Sequence, residues 1–308
     1  MIDSCVLGGV DNSEEEESKI HSQFVGFGLE KASNKLPEII EPNSIVVGFS
    51  VGGAIAYKTA LISDKISSLY CISASRLRKE EEKPSCNLSV FIGSKDEYQP
   101  KQDWFDKMEI KANVIEGNHH IYYNDGFSRD LCLSIIKSEL PYFLHESDRL
   151  QYRGLERSDI PVWRKFFDNN DSLHFLGIDM SKNFDQHAKD WIEKQQERYL
   201  NDGLGHLAVI KKESGEMIGM GGLLKREIND KIEYEVAYSL MPDEWGKGYG
   251  TEIAKHIKQF GQENDVKDGF ISIIHVDNQS SMNVARKNGM HELYESEYLG
   301  MPVIVFGD

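Results

Sequence analysis

Cysteine is scarce in these 308 residues, and the four present, Cys5, Cys71, Cys86 and Cys132, have neither C-x-x-C spacing nor neighbouring histidines. That pattern supports neither a zinc site nor a disulfide framework, so no metal is expected and the thiols are read as small buried hydrophobes. No apolar run approaches the ~20 residues that cross a bilayer. The opening "MIDSCVLGGV" lacks the basic start and apolar stretch of a secretion signal. No membrane association and a cytoplasmic location are therefore expected. Positive charge is also short, with 35 Lys and Arg against 51 Asp and Glu and a net charge of −16. No basic stripe interleaved with aromatics is present, which argues against a nucleic-acid partner. The acidic excess suits a ligand carrying a positive amine. The run from Glu14 to Glu17 is read as a solvated helix start, where carboxylates favour the macrodipole.

The length allows two ordinary domains, each with its own core, and the chain is written in two grammars. In the first half, apolar and β-branched runs ("SCVL", "SIVVGF", "SLYCISA", "LSVFIG", "ANVIEG") alternate with helical patterns such as "AIAYKTALI" and "FSRDLCLSIIKSEL". That order predicts an α/β domain with a mostly parallel sheet. The pattern breaks around "LPYFLHESDRLQY", which places a boundary near residue 147, between domains 1–146 and 147–308. The second half then runs strand, two helices, strands joined by tight turns at Ser214-Gly215 and Asn229-Asp230, helix, strand, helix and two strands. A mixed sheet is expected there. Neither half shows an internal repeat or a low-complexity tract.

The second half raises a question at "DEWGKGYGTEIAKHI", residues 243–257, where Gly246, Gly248 and Gly250 stand immediately before a helical pattern. "YEVAYSLMP" alternates as a strand, so these glycines lie between a strand end and a helix start. Without Cβ atoms such a loop lets a ligand approach its amides. The helix start adds free donors and partial positive charge, which favour a phosphate. A Walker A loop fails because Lys247 is followed by Gly248. A dinucleotide fingerprint fails because the spacing is G-x-G-x-G behind an antiparallel strand.

"EYEVAYSLMPDEWGKGYGTEIAKH" followed by "ISIIHVDNQSSMNVARKNGM" resembles the GNAT acyltransferases, specifically the branch holding the ribosomal-protein N-terminal acetyltransferases. The resemblance covers roughly residues 148–308. It implies that the loop Trp245, Gly246, Lys247, Gly248, Tyr249, Gly250 and Thr251 binds the pyrophosphate of acetyl-CoA, with Trp245 where Gln or Arg is usual. It implies further that backbone donors around Val236, Tyr238 and Leu240 hold the thioester carbonyl, stabilising the oxyanion that develops there. Asn278 and Ser281 match the Asn-x-x-Ser that contacts the cofactor arm. The family's tyrosine acid falls at Ala285, which leaves Ser281 as the group to protonate the leaving thiolate. Glu297 and Glu235 are the alternatives for the base that deprotonates the acceptor amine. Tyr152, Trp163, Phe175 and Trp191 are candidates for the acceptor side.

In the first half, "VVGFSVGGAIAY" has the form strand, G-x-S-x-G, helix. This is a nucleophile elbow, with Ser50 on a strained turn and Gly48 and Gly52 permitting the bend. Asp96 follows a later strand, and His119 or His120 the next, which is the Ser, Asp, His chain order of the α/β-hydrolases. Residues 1–146 resemble small esterase-like members of that superfamily. The resemblance implies oxyanion donors at Val51 and at Gly9, the latter in a loop behind a "SCVL" strand. The whole is thus expected to be an α/β-hydrolase-like sheet followed by a GNAT domain, an acetyl-CoA-dependent N-acetyltransferase fused to a hydrolase of small esters, thioesters or amides. The alternatives are a first half that serves only as a scaffold, and a protein that binds CoA without turnover.

Overall fold

A computed structural model describes residues 2–13, 17–117, 126–179, 181–267 and 269–308, and the chain divides into two compact units, Met1–Cys132 and Leu133–Asp308. Among the described residues no helix is long and apolar enough to cross a membrane.

The first unit opens on a helix, α1 (Ser4–Gly8), not on the strand expected for "SCVL". The Asp3 carboxylate caps it by accepting from the Cys5 amide at 2.7 Å, and Gly9 closes it in the left-handed region at φ 62°. These two end signals outweigh the β preference of so short a run. Helix α2 (Glu17–Gln23) continues through a π turn, Phe24–Gly28, into α3 (Leu29–Lys35). Strand β1 (Ser44–Phe49) then leads into α4 (Val51–Ile62), followed by β2 (Ile66–Ile72), β3 (Asn87–Gly93), α5 (Gln102–Met108) and β4 (Ala112–Ile115). The four strands form an all-parallel sheet in the order β1-β2-β3-β4, in register at Val46↔Leu69, Cys71↔Val90 and Ile92↔Val114. Leu69, Cys71 and Val90 are wholly buried in its core, so Cys71 packs as a hydrophobe; Cys132 is buried too, and Cys5 and Cys86 are half-buried.

The unit division falls within α6 (Gly126–Glu139). The short strand β5 (Leu144–Glu146), ahead of residue 147, is the margin of the second unit's sheet and pairs with β6 (Leu150–Gly154). Two helices follow, α7 (Ile160–Trp163) and α8 (Phe184–Asp202). After them come β7 (Gly205–Lys211), β8 (Met217–Ile228), β9 (Lys231–Leu240), α9 (Tyr249–Glu263), β10 (Ile271–His275), α10 (Gln279–Lys287), β11 (His291–Tyr298) and β12 (Met301–Gly307). They build a mixed eight-stranded sheet in the order β11-β12-β10-β9-β8-β7-β6-β5, antiparallel everywhere except between β9 and β10. Trp163, Tyr152, Tyr199, Leu207 and Val209 are fully buried in its core.

Candidate functional site

Strands β9 and β10 are parallel neighbours that pair at one place, Ile271↔Glu235. Beyond that pair they part, and a cleft of about 200 Å³ opens, lined among others by Glu235, Val236, Tyr238, Ser272, His275, Asn278 and Ser281. The register of β9 decides which main-chain groups face it. Asn229 and Asp230 both take positive φ, 50° and 61°, and join Ile228 to Lys231 as a two-residue hairpin. Such a turn makes Ile228 and Lys231 a hydrogen-bonded pair, so every second residue of β9 bonds to β8 and the alternate ones turn away. Val236, Tyr238 and Leu240 are the alternate ones. The Val236 carbonyl faces β10, accepting from the Ser272 hydroxyl at 3.0 Å.

At the end of β9 the glycine loop begins. Trp245 anchors it, donating its indole N–H to the Leu240 carbonyl at 2.9 Å while its ring stays exposed. Gly246 and Gly248 hold φ of 73° and 82°, and Gly248 is the residue from which α9 starts, its first turn running through Tyr249, Gly250 and Thr251. A Cβ on Gly246 would meet nothing within 4 Å, and one on Gly248 only the Arg149 guanidinium at 3.6 Å. The loop surface is open and made of backbone, which fits a pyrophosphate on the α9 start. Arg149, which sequence reasoning missed, stacks over the Tyr249 ring at 4.3 Å, donates to the Lys247 carbonyl at 3.1 Å and pairs with Glu252 at 2.7 Å. It adds positive charge beside the cradle. Lys247 is exposed and paired with Glu244 at 3.0 Å.

Across the cleft, the Asn278 side chain caps α10 by accepting from the Ser281 amide at 3.1 Å, which fixes the Ser281 hydroxyl at the helix start. That hydroxyl hydrogen-bonds the phenol of Tyr238, whose titration burial pushes up to about 12, the bond to Ser281 pulling the other way. Tyr238 was expected to contribute only its amide; its side chain is a second proton-bearing group at Ser281. Ala285, where the tyrosine acid would fall, is on the buried face of α10.

The two candidate bases are placed differently. Glu235 is buried, lines the cleft and accepts from Arg226 Nε at 2.7 Å. Glu297 is exposed on β11 opposite Pro302, and strand alternation turns its neighbour Tyr298 into the cleft instead. Between these two alternatives, the pleat of β11 places Glu297 away from the residues that line the cleft. Phe175 and Trp191 line the cleft, whereas Tyr152 and Trp163 are wholly buried core residues. Arg226, His206 and Tyr298 also line it and were not found from the sequence.

In the first unit, Ser50 stands between β1 and α4 at φ 48° and ψ −116°, exposed at the C-terminal end of β1. For a residue with a Cβ this is strained backbone, worth on the order of 1–3 kcal/mol. The bend is allowed by Gly48 and Gly53 rather than by Gly52. A Cβ on Gly48 would lie 2.6 Å from the Gly53 Cα, and one on Gly53 2.7 Å from the Ala74 Cβ. Val51 is the first residue of α4, where amides lack a helical acceptor. Asp96 follows β3, buried, its carboxylate accepting from the Tyr98 amide at 2.9 Å. His119 and His120 lie outside the described residues. Gly9 is a correction: its N–H donates to the Val6 carbonyl at 3.3 Å as the cap of α1, so it is not a free oxyanion donor.

Residues 149–291 match the family described as the acetyltransferase (GNAT) domain. The second unit carries such a domain. The chain is similar to the uncharacterized protein YkkB of Bacillus subtilis strain 168, at 23% identity over 161 residues, 52% of this chain and 92% of that protein. It is also similar to the uncharacterized N-acetyltransferase p20 of Bacillus licheniformis, at 24% identity over 115 residues, 37% of this chain and 64% of that one. Among solved structures, the ribosomal-protein-S5-alanine acetyltransferase from Vibrio fischeri aligns at a TM-score of 0.44 and 16% identity, covering 54% of this chain and 95% of that one.

Proposed function

We propose that the second unit transfers the acetyl group of acetyl-CoA to a primary amine, either a small molecule or a protein N-terminus. The observation that carries this reading is the single β9–β10 pair, which leaves the alternate amides of β9, Tyr238 among them, turned toward an opening, with the glycine loop following at the end of the same strand. The thioester carbonyl would lie against those amides, where fixed donors stabilise the oxyanion formed as the amine attacks. As the carbon–sulfur bond breaks, the Ser281 hydroxyl gives its proton to the departing thiolate and recovers one from Tyr238. Glu235, held by Arg226, takes the proton from the attacking ammonium, directly or through one water.

The test is acetyl-CoA consumption against a panel of amines, run beside calorimetric titration with acetyl-CoA. Ser281→Ala and Glu235→Gln should each lower kcat by about 10²-fold or more, the scale of a lost acid or base, while acetyl-CoA still binds. Variants turning over at the wild-type rate would remove these assignments. Binding with no acetylation of any amine would leave a CoA-binding module in their place.

A second activity is favoured by the strained, exposed Ser50. We propose that it is a hydrolytic nucleophile, with Asp96 and His119 or His120 as its partners in chain order and the Val51 amide as oxyanion donor. A fluorophosphonate should label the wild type and spare Ser50→Ala. A folded wild type that resists labelling makes the first unit a scaffold.

A further inference from the structure

The end of the cleft beside Arg226 holds an imbalance of charge that acetyl transfer alone does not use. Arg226 lines it and is paired with Glu235. Behind it, Arg198 on α8 is half-buried and donates to the Gln195 side chain at 3.0 Å, with no carboxylate within 4.0 Å among the described residues. The field of Arg226 together with burial lowers the titration of Arg198, burial being the larger cause. Glu235 and Asp202 are the carboxylates whose fields reach Arg198, and each is already paired, Glu235 with Arg226 at 2.7 Å and Asp202 with Lys225 at 3.7 Å, so the guanidinium of Arg198 is left incompletely balanced in a partly buried place, where an uncompensated cation is costly.

His206, on β7, lines the same end at 5% exposure. Burial first, then Arg198 and Arg226, hold its titration well below the usual histidine value, so the ring is neutral. Its Nδ1 lies 3.5 Å from the Trp191 indole N–H, which makes Nδ1 the acceptor and leaves the proton on Nε2. That Nε2 is buried without a hydrogen-bond partner. A donor left unpaired in a cleft, backed by a surplus cation, is arranged to meet an anion.

We propose that this end of the cleft is a carboxylate subsite, so that the acetyl acceptor carries an anionic carboxylate close to its amine, bound by His206 Nε2–H and the guanidinium of Arg226, with Arg198 supplying the balancing charge. This rests on the transferase reading and names its substrate class. Two sources share the chemistry: the α-carboxylate of a free amino acid, and the side-chain carboxylate of a peptide that begins with Asp or Glu.

The experiment uses the full chain and two readouts. In the first, kcat/KM is compared for amino acids against their carboxamides, and for Asp- or Glu-initiated peptide amides against their Asn or Gln counterparts. The carboxylate member of one pair should be preferred by about 10-fold or more, the scale of one charged hydrogen bond, chiefly through KM. In Arg198→Met that ratio should shrink several-fold. In the second, the ring ¹⁵N signals of His206 are followed as N-acetylated amino acids or their carboxamides are added. A saturable Nε2 shift with the carboxylate alone supports the subsite, and it does so whether or not acetyl-CoA binds. Should Arg198→Met fail to fold, the wild-type ratio and the imidazole titration decide. Equal use of charged and neutral acceptors, or a His206 ring indifferent to carboxylates, overturns the proposal. Failure to bind acetyl-CoA would overturn the transferase reading instead.

Discussion

Gly248 concentrates two demands in one position: a left-handed backbone at φ 82° and an open surface above it. Gly248→Val would force a β-branched residue into that region, at a cost of about 1–2 kcal/mol, and would put methyl groups where the phosphates are to sit. We expect the acetyl-CoA dissociation constant to rise about 10-fold or more by calorimetry, with the fold retained by circular dichroism. Undiminished affinity would remove the loop from the cofactor site. Such residues were legible in the sequence because their chemistry is local. Gly248, Ser50 and Asn278 each announce themselves within a few neighbours. Arg226 and Glu235 do not, since they meet diagonally across the β8–β9 hairpin, and His206 and Arg198 meet only once α8 packs on β7. Whether Glu297 or its neighbour Tyr298 faces the cleft turns on a single step of strand alternation, a distinction that needs the register of β11 on β12.

At the scale of elements, the Asn229-Asp230 turn sets more than a reversal. It fixes the phase of β9, and a slip of one residue would exchange the amides that face β8 with those that face the cleft. Asp230→Val, placed at φ 61°, should cost about 1–2 kcal/mol of stability in urea unfolding. A second element-level device joins β5 to α9, where His145 Nδ1 lies 2.8 Å from His256 Nε2 and the His145 ring stacks on Tyr152 and Phe260. Burial first, then His256, lowers His145 to about 3, and burial lowers His256 as well. In the unfolded chain each titrates near 6.5. Between about 6.5 and about 3 the unfolded chain therefore binds protons that the folded one refuses, so these rings subtract stability progressively as pH falls through that window. His145→Phe should flatten the fall of the melting temperature from pH 7 to pH 5, and an unchanged slope would clear the pair. The turn was readable in advance from two residues. The histidine pair was not, being 111 positions apart in the chain.

The whole molecule is two units with separate cores, and the change from alternating strand–helix order to a hairpin-rich order made that division readable. Its place was harder to see, because α6 contains it and β5, ahead of the expected boundary, is a strand of the second sheet. The first strand of the first unit was misread for a related reason: five residues with a strong cap at each end follow their caps. In calorimetry we expect two unfolding transitions. Acetyl-CoA at about 100 times its dissociation constant should stabilise one of them by about 2.7 kcal/mol by mass action and leave the other in place. One joint transition that moves as a whole would show the units to be thermodynamically a single body.

In the proposed transferase the seat for the thioester oxygen is drawn in main chain on β9, at Tyr238 and Leu240. Replacing the Leu240 side chain by alanine keeps its donor, so an alanine scan scored by growth or turnover would pass over that amide and the dependence of the chemistry on it. Only editing the peptide link itself, by a backbone ester or by proline at Leu240, would make that dependence visible.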